Sequence, residues 1–264
     1  MNNIEVKKPG RPFVLIGTPS LYGDVIFPYL RSAVETVTKF DEAGIDWGFI
    51  LKPGDPYLAK VRNSIATDFL TDYPQGTHLF FIDADLGWDA DAAVRLVERN
   101  WDVTAGIYPK KSDPPEFPCE LFLDAVKDGK LVEREGWYKA NAVPTGFLCI
   151  KRHVLEKMAV GRGVYRDLDG KDKYNIFQQG FHADDKQWWG EDYAFCRQWR
   201  EMGGELWVWP DIQFSHTGKK SWHNNFAPSV QAFAEGRAKI TDITAKQLAE
   251  DAARQVVVEE RSTL

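Results

Sequence analysis

One stretch constrains this chain more than any other: His78-Leu79-Phe80-Phe81-Ile82-Asp83-Ala84-Asp85, in which four apolar residues run straight into two carboxylates one residue apart. The apolar run does not alternate with polar residues, so it reads as a strand buried on both faces. Strands have a period of two, which predicts Asp83 and Asp85 on the same side of the strand end. Two carboxylates held together repel, and the pair calls for a proton or a cation. A hard divalent ion, Mg²⁺ or Mn²⁺, answers that need, because it takes oxygen ligands and keeps places for phosphate oxygens. In open α/β sheets ligands collect beyond the carboxyl ends of the strands, where this pair falls. The plainer alternative is a solvated turn after a core strand, since Asp is common there.

Around that stretch the pattern alternates. Residues 12–17 read as a first strand that ends in Thr18-Pro19-Ser20, with Gly23 shortly after. Residues 28–43 carry Leu30, Ala33, Val34, Val37 and Phe40 at helical spacing, and Gly44 stops them. A strand over 45–51 follows. Next comes a helix over 57–73 with Leu58, Val61, Ile65, Phe69 and Leu70 on its core face. After the aspartates, residues 89–99 read as a short helix capped by Asp89, and 101–108 as a further strand. Strand–helix alternation of this kind predicts a Rossmann-type, mainly parallel sheet with helices on both faces.

Beyond Tyr108 the pattern turns mixed: strand-like pieces at 120–126, 130–137 and 143–150, with a hairpin signal at Asp128-Gly129. Residues 160–186 read as a loop-rich lid. A helix is predicted from Glu191 to about Met202, a strand over 205–209, and a helical tail over 226–264 that offers a route to homo-oligomers. The division expected is a catalytic domain over 12–222, with a nucleotide-binding half (12–108) and an acceptor and metal half (109–222), followed by the tail.

Composition excludes some classes. A net charge of −6 argues against a general electrostatic grip on nucleic acid, though not against a local basic face. Cys119, Cys149 and Cys196 are far apart and lack zinc spacing, so they read as reduced, buried thiols. No leader-like run follows Met1 and no apolar stretch is long enough for a bilayer, so the expectation is a cytoplasmic protein without membrane contact. Ten tryptophans suggest either a broad amphipathic surface or large aromatics in the core.

Several further residues carry possible chemistry. Glu191-Asp192 open a predicted helix, where the dipole favours an ionised carboxylate fit for general-base work; acids also occur there only to stabilise helices. His216 can complete a metal site with Asp85. Arg62 offers forked donors for a phosphate or base, and Lys219 and Lys220 offer charge to a diphosphate. Thr145 and Gly146 precede an apolar strand and allow close approach of a ligand. Each also has an ordinary structural reading: solvated arginine, basic loop, bent strand.

A buried strand ending in DxD, then Glu-Asp at a helix start, then a strand and His-x-Gly, resembles the GT-A-fold glycosyltransferases. The matching residues are Asp83-Ala84-Asp85, Glu191-Asp192 and Ser215-His216-Thr217-Gly218, over roughly residues 12 to 222. The small stand-alone enzymes of phages and large viruses are particularly similar, which would place the protein in a host cytoplasm. The resemblance implies a hexosyl- or pentosyltransferase acting on a nucleotide-diphosphate sugar, UDP-sugar favoured, with Mn²⁺ or Mg²⁺. It implies metal ligation by Asp85 and His216, with Asp83 on the ribose or on the metal through water. Thr18, Pro19, Ser20 and Arg62 would hold the nucleoside. Asp192 would be the base of an inverting reaction, and Trp188 and Trp189 would stack on sugar or acceptor. The acceptor would be a glycan, a small molecule or, in a virus, a hydroxylated DNA base, for which Lys110-Lys111 and Lys219-Lys220 supply charge. Two rivals share the DxD strand. One is a haloacid-dehalogenase-type phosphatase with Asp83 as nucleophile, which Leu86-Gly87-Trp88 fits poorly. The other is a non-catalytic nucleotide-sugar binder on the same fold.

Overall fold

A computed structural model describes residues 10–124, 130–183 and 186–236. Its first half runs β1 (Phe13–Ser20), α1 (Phe27–Glu42), β2 (Asp46–Pro53), α2 (Leu58–Asp72), β3 (His78–Ile82), β4 (Leu86–Trp88), α3 (Ala90–Glu98) and β5 (Val103–Gly106). Short strands follow: β6 (Glu120–Leu121), β7 (Leu123–Asp124), β8 (Lys130–Leu131) and β9 (Glu133–Arg134). Then come β10 (Trp137–Ala142), β11 (Phe147–Lys151) and α4 (Arg152–Ala159). Two antiparallel pairs, β12 (Val164–Arg166) with β13 (Asp172–Tyr174) and β14 (Gly180–His182) with β15 (Gln187–Trp189), lead to α5 (Glu191–Glu201). The described chain ends with β16 (Leu206–Trp209), β17 (Phe214–Thr217), β18 (Ser221–Asn224) and α6 (Ala227–Ala234). The Asp128-Gly129 turn and the tail from residue 237 onward lie outside the described residues.

The main sheet has the order β2-β1-β3-β11-β5-β16-β10-β6, with β9 also on β10. β2, β1, β3, β5 and β16 point one way, and β11 lies between β3 and β5 in the opposite sense. This is a mixed α/β architecture with a largely parallel central sheet, and both faces are covered, as the periodicity predicts. One core packs α2, α4 and α5 through Ile65, Phe69, Leu155, Phe195 and Trp199. The other packs α1 and α3 through Tyr29, Phe40, Leu96 and Val97. Because β11 and β16 insert beside β3 and β5, the two sequence halves share one sheet. A small sheet, β18-β17-β4, sits at the carboxyl end of β3.

α1 lies in a different rotation from the one its apolar residues suggest. Leu30 and Val34 are exposed, and Tyr29, Ser32, Ala33, Thr36 and Phe40 face inward. The polar members of that stripe have partners that explain the choice. Ser32 Oγ donates to the Trp88 carbonyl (2.8 Å), and Trp88 Nε1 donates to Thr36 Oγ1 (2.9 Å). The helix is thereby bolted to β4, the strand just past the aspartate pair. Leu58 is also more exposed than its helical position predicts. Asp89 stands at the start of α3, but its carboxylate accepts the Gln213 N–H (3.0 Å) rather than capping the helix.

Residues 160–183 are more ordered than a lid. Buried Lys173 pairs with Asp68 (3.1 Å), Tyr174 N–H donates to Thr67 Oγ1 (3.0 Å), and Phe177 N–H donates to Asn63 Oδ1 (2.7 Å). These contacts dock the stretch on α2. Four of the tryptophans, Trp101, Trp137, Trp207 and Trp209, form a contiguous cluster. Arg99 lies 3.7 Å from the Trp101 centroid and Arg95 4.4 Å from that of Trp209, so much of the tryptophan excess serves packing and cation–π contact. No helix among the described residues is long and apolar enough to cross a membrane.

α4 was not expected from the sequence, and its first residue serves another helix. Arg152 Nε–H donates to the Gly76 carbonyl (2.6 Å), Nη2 to Phe69 O (2.9 Å) and also to Tyr73 O. One cation thus satisfies the carbonyls that α2 leaves open at its C-terminus. Arg152→Ala is expected to lower unfolding free energy by about 2 kcal/mol, measured by urea denaturation, because these charged hydrogen bonds are lost together.

Candidate functional site

β3 stops at Ile82, one residue before the carboxylates. Asp83, Ala84 and Asp85 occupy a turn in which Leu86 N–H donates to the Asp83 carbonyl (3.2 Å), and Ile26 N–H holds the Ala84 carbonyl (3.2 Å). The two-residue strand period therefore does not extend to the pair, and each carboxylate is met by a different side-chain cation, Arg62 on Asp83 and Lys111 on Asp85.

Asp83 accepts from Arg62 Nη2 (3.0 Å), and Arg62 Nε–H donates to Glu191 Oε1 (3.3 Å). Arg62 is only 1% exposed and does not line the cleft beside the aspartate turn; its forked donors, offered by the sequence to a phosphate or base, are engaged by Asp83 and Glu191. Burial opposes its charge, but Asp83 and Glu191 outweigh burial and hold it protonated. The other side of Asp83 is closed by Gly146, whose carbonyl accepts the Asp83 N–H (3.0 Å). A Cβ at Gly146 would lie 2.4 Å from the Tyr108 hydroxyl oxygen and 2.5 Å from Asp83 Oδ2, so only glycine fits. Thr145 is buried beside it.

Asp85 faces His216 and Lys111. β17 pairs antiparallel with β4, setting His216 opposite Leu86, and Thr217 N–H donates to the Asp85 carbonyl (2.9 Å). His216 Nε2 is 3.5 Å from Asp85 Oδ1, and Lys111 Nζ forms an ion pair with Oδ2. His216 Nδ1 lies 2.8 Å from the Pro109 carbonyl oxygen, which can only accept, so Nδ1 carries a proton. In the neutral ring Nε2 then presents its lone pair toward Asp85, the orientation of a metal-ligating imidazole backed by a carbonyl. Burial works against the Asp85 charge, but His216, in the protonated ring whose Nε2–H faces Oδ1, and Lys111 prevail and hold the carboxyl below the ordinary range.

The aspartate turn forms one wall of a cleft of about 250 Å³, whose other walls include Pro19, Ser20, Tyr22, Ile26 and Leu58. Pro19 and Ser20 thus stand at the cleft. Thr18 does not line it: it is buried and bonded to the Tyr29 hydroxyl. Lys219 is exposed between β17 and β18, and Lys220 pairs with Asp113, so neither lines the cleft.

The two acids at the start of α5 divide. Glu191 is taken by Arg62, while Asp192 accepts the Tyr193 N–H (2.8 Å). The helix terminus was expected to favour ionised Asp192. Burial and the Glu191 charge win instead, raising its pKa to about 6. Trp188 lies opposite Phe181 on the β14–β15 pair, and both are strongly exposed just before these acids; Trp189 packs against Tyr193 and Arg197.

Sequence reasoning did not assign two residues that the fold brings here. Tyr108 follows β5, is buried, and feels the charges of Asp83, Arg62, Asp192 and Asp85 at once; burial first, then Asp83, pushes its phenol well above the ordinary value, so it stays a neutral donor. Its position at the carboxyl end of a parallel strand was the available signal. Lys111 was read as part of a basic loop that could supply charge to a DNA acceptor, not as a partner of Asp85. The arrangement combines a carboxylate–imidazole pair, a cleft against it, and a separate carboxylate poised to take up a proton near neutrality; among the described residues no three His, Cys, Asp or Glu side chains group as a metal site.

An Asp with a raised native pKa costs stability above that pKa and nothing below its unfolded value of 3.8. Asp192→Asn is therefore expected to raise unfolding free energy at pH 7.5 by about 2 kcal/mol, with the gain fading as pH falls toward 4, in paired denaturant titrations. Compared with protein-family models and with curated proteins, the chain matches none.

Proposed function

We propose that the chain is a metal-dependent glycosyltransferase of the GT-A type, transferring a sugar from a nucleotide-diphosphate sugar, UDP-sugar favoured, to a hydroxyl acceptor. The observation that carries this reading is the meeting of Asp85 and His216, 131 residues apart in sequence, beside a cleft at the carboxyl ends of β1 and β3. The donor set fits a hard divalent ion: one carboxylate, one imidazole with its other nitrogen held by a carbonyl, and space for phosphate oxygens. Held there, Mn²⁺ or Mg²⁺ would supply positive charge to the departing diphosphate.

The chain's own residues account for the rest. Asp83, locked by Arg62, faces the donor cleft as a fixed acceptor for a ribose hydroxyl. Asp192 takes the proton of the acceptor hydroxyl as its oxygen bonds to the sugar C1. The bond from C1 to the diphosphate oxygen breaks with its electron pair on the leaving group, and attack from the opposite face inverts the centre. Phe181 and Trp188, opposite each other on the β14–β15 pair that leads into α5, present exposed apolar rings suited to the faces of a sugar. Lys110, Lys111 and Lys220 are each paired with an acid, which favours a glycan or small-molecule acceptor over DNA. The phosphatase alternative asks Asp83 to attack phosphorus, and the Arg62 ion pair lowers its nucleophilicity.

With Mn²⁺ and a panel of nucleotide-sugars, the protein is expected to release nucleoside diphosphate, and Asp85→Ala to slow release by at least about 100-fold. Retained turnover in that variant would remove the metal role. Because Asp192 must be ionised to act, kcat/KM is expected to rise with pH through an apparent pKa of about 6 and then level off. A profile flat from pH 5 to 8 would point to a different base.

A further inference from the structure

The loop between β5 and β6 brings Lys111 into the cation position of the site. Its ammonium contacts Asp85 Oδ2, while His216 Nε2 approaches Oδ1 of the same carboxylate. The lysine stem lies along Gly218, where a Cβ would come within 3.0 Å of Lys111 Cδ, so the glycine after His216-Thr217 leaves the path open. The loop is anchored at its ends, by the Pro109 carbonyl on His216 Nδ1 (2.8 Å) and by Phe117 against the core, and around Lys111 it is held by the Lys110 N–H on the Glu116 carbonyl (2.7 Å) and by surface contacts: Lys110 to Glu116 (3.0 Å), Asp113 to Lys220, and Trp222 Nε1–H to Asp113 Oδ1 (3.1 Å). Exposed pairs of this kind hold weakly, and a freed Lys111 ammonium can return to water at little cost. Neither Asp83, which is held by Arg62, nor Asp192 forms an ion pair with Lys111.

We infer that Lys111 is a tethered cation that occupies the divalent-ion position on Asp85 and is displaced when a metal ion binds. The inference rests on the metal reading proposed above for Asp85 and His216. An ammonium brings one charge and gives the imidazole lone pair no coordination bond. A divalent ion brings two charges and binds both groups. Metal affinity in the absence of donor is therefore set by competition with this side chain, and the loop carrying it moves as the ion enters.

The test is Mn²⁺ binding to the full chain without nucleotide, read from the paramagnetic resonance signal of free Mn²⁺. Lys111→Gln is expected to bind Mn²⁺ about tenfold more tightly than the parent, since a positive charge adjacent to the ion is removed. Lys110→Gln, one residue away, is expected to bind as the parent does, and Asp85→Asn to lose binding. Equal or weaker binding by Lys111→Gln, or the same gain in Lys110→Gln, overturns the tethered-cation role; where Asp85→Asn still abolishes binding, the metal site itself stands. Saturable binding by neither the parent nor Lys111→Gln overturns the metal site and this inference together.

Discussion

The buried guanidinium of Arg62 is the constraint on which the site depends. It joins the end of β3 to the start of α5 by pairing with Asp83 and Glu191, residues 21 and 129 positions away. Withdrawing one partner from a buried charge pair costs on the order of 3–5 kcal/mol, so the three side chains hold one another in place. A consequence falls on the neighbour. With Glu191 committed to Arg62, Asp192 is left with a backbone N–H and a nearby negative charge, in a place that water reaches poorly. Two adjacent acids on one helix turn thereby acquire different tasks, one fixing geometry and one able to change protonation near neutral pH.

The same economy governs the aspartate turn. Its two carboxylates are met by different side-chain cations, Arg62 for one and Lys111 for the other. The difference between those cations matters. Arg62 is sealed in the interior, whereas Lys111 is about one-third exposed on a loop. One partner is structural and the other exchangeable. Tyr108, neutral between them, contributes a hydroxyl without adding charge to a crowded group of acids.

Much of the fold was legible because local periodicity and burial agreed. The helix predicted over 57–73 forms at 58–72, and that over 89–99 at 90–98. The run before Asp83 is buried at every position. Periodicity misled where polar side chains do interior work. Ser32 and Thr36 rotate α1 away from the face that Leu30 and Val34 advertise, because Trp88 needs their hydroxyls. α4 is eight residues long and has no side-chain cap, so it left little local trace. At the site, the meeting of Asp85 with His216 could be expected from the order of motifs. The burial of Arg62 could not, because it depends on two acids far along the chain converging on it. The raised pKa of Asp192 was hidden for the same reason: a helix terminus is visible in sequence, while the loss of water around it is a tertiary fact.

The cysteines carry an implication of their own. Cys119, Cys149 and Cys196 are all buried, and burial drives their thiols up, to about 12 for Cys149 and Cys196. The reactive thiolate is thus scarce as well as sealed in the native state. An alkylating reagent added to the folded molecule would wait for the sheet to open, and its rate of uptake would report how often the interior breathes.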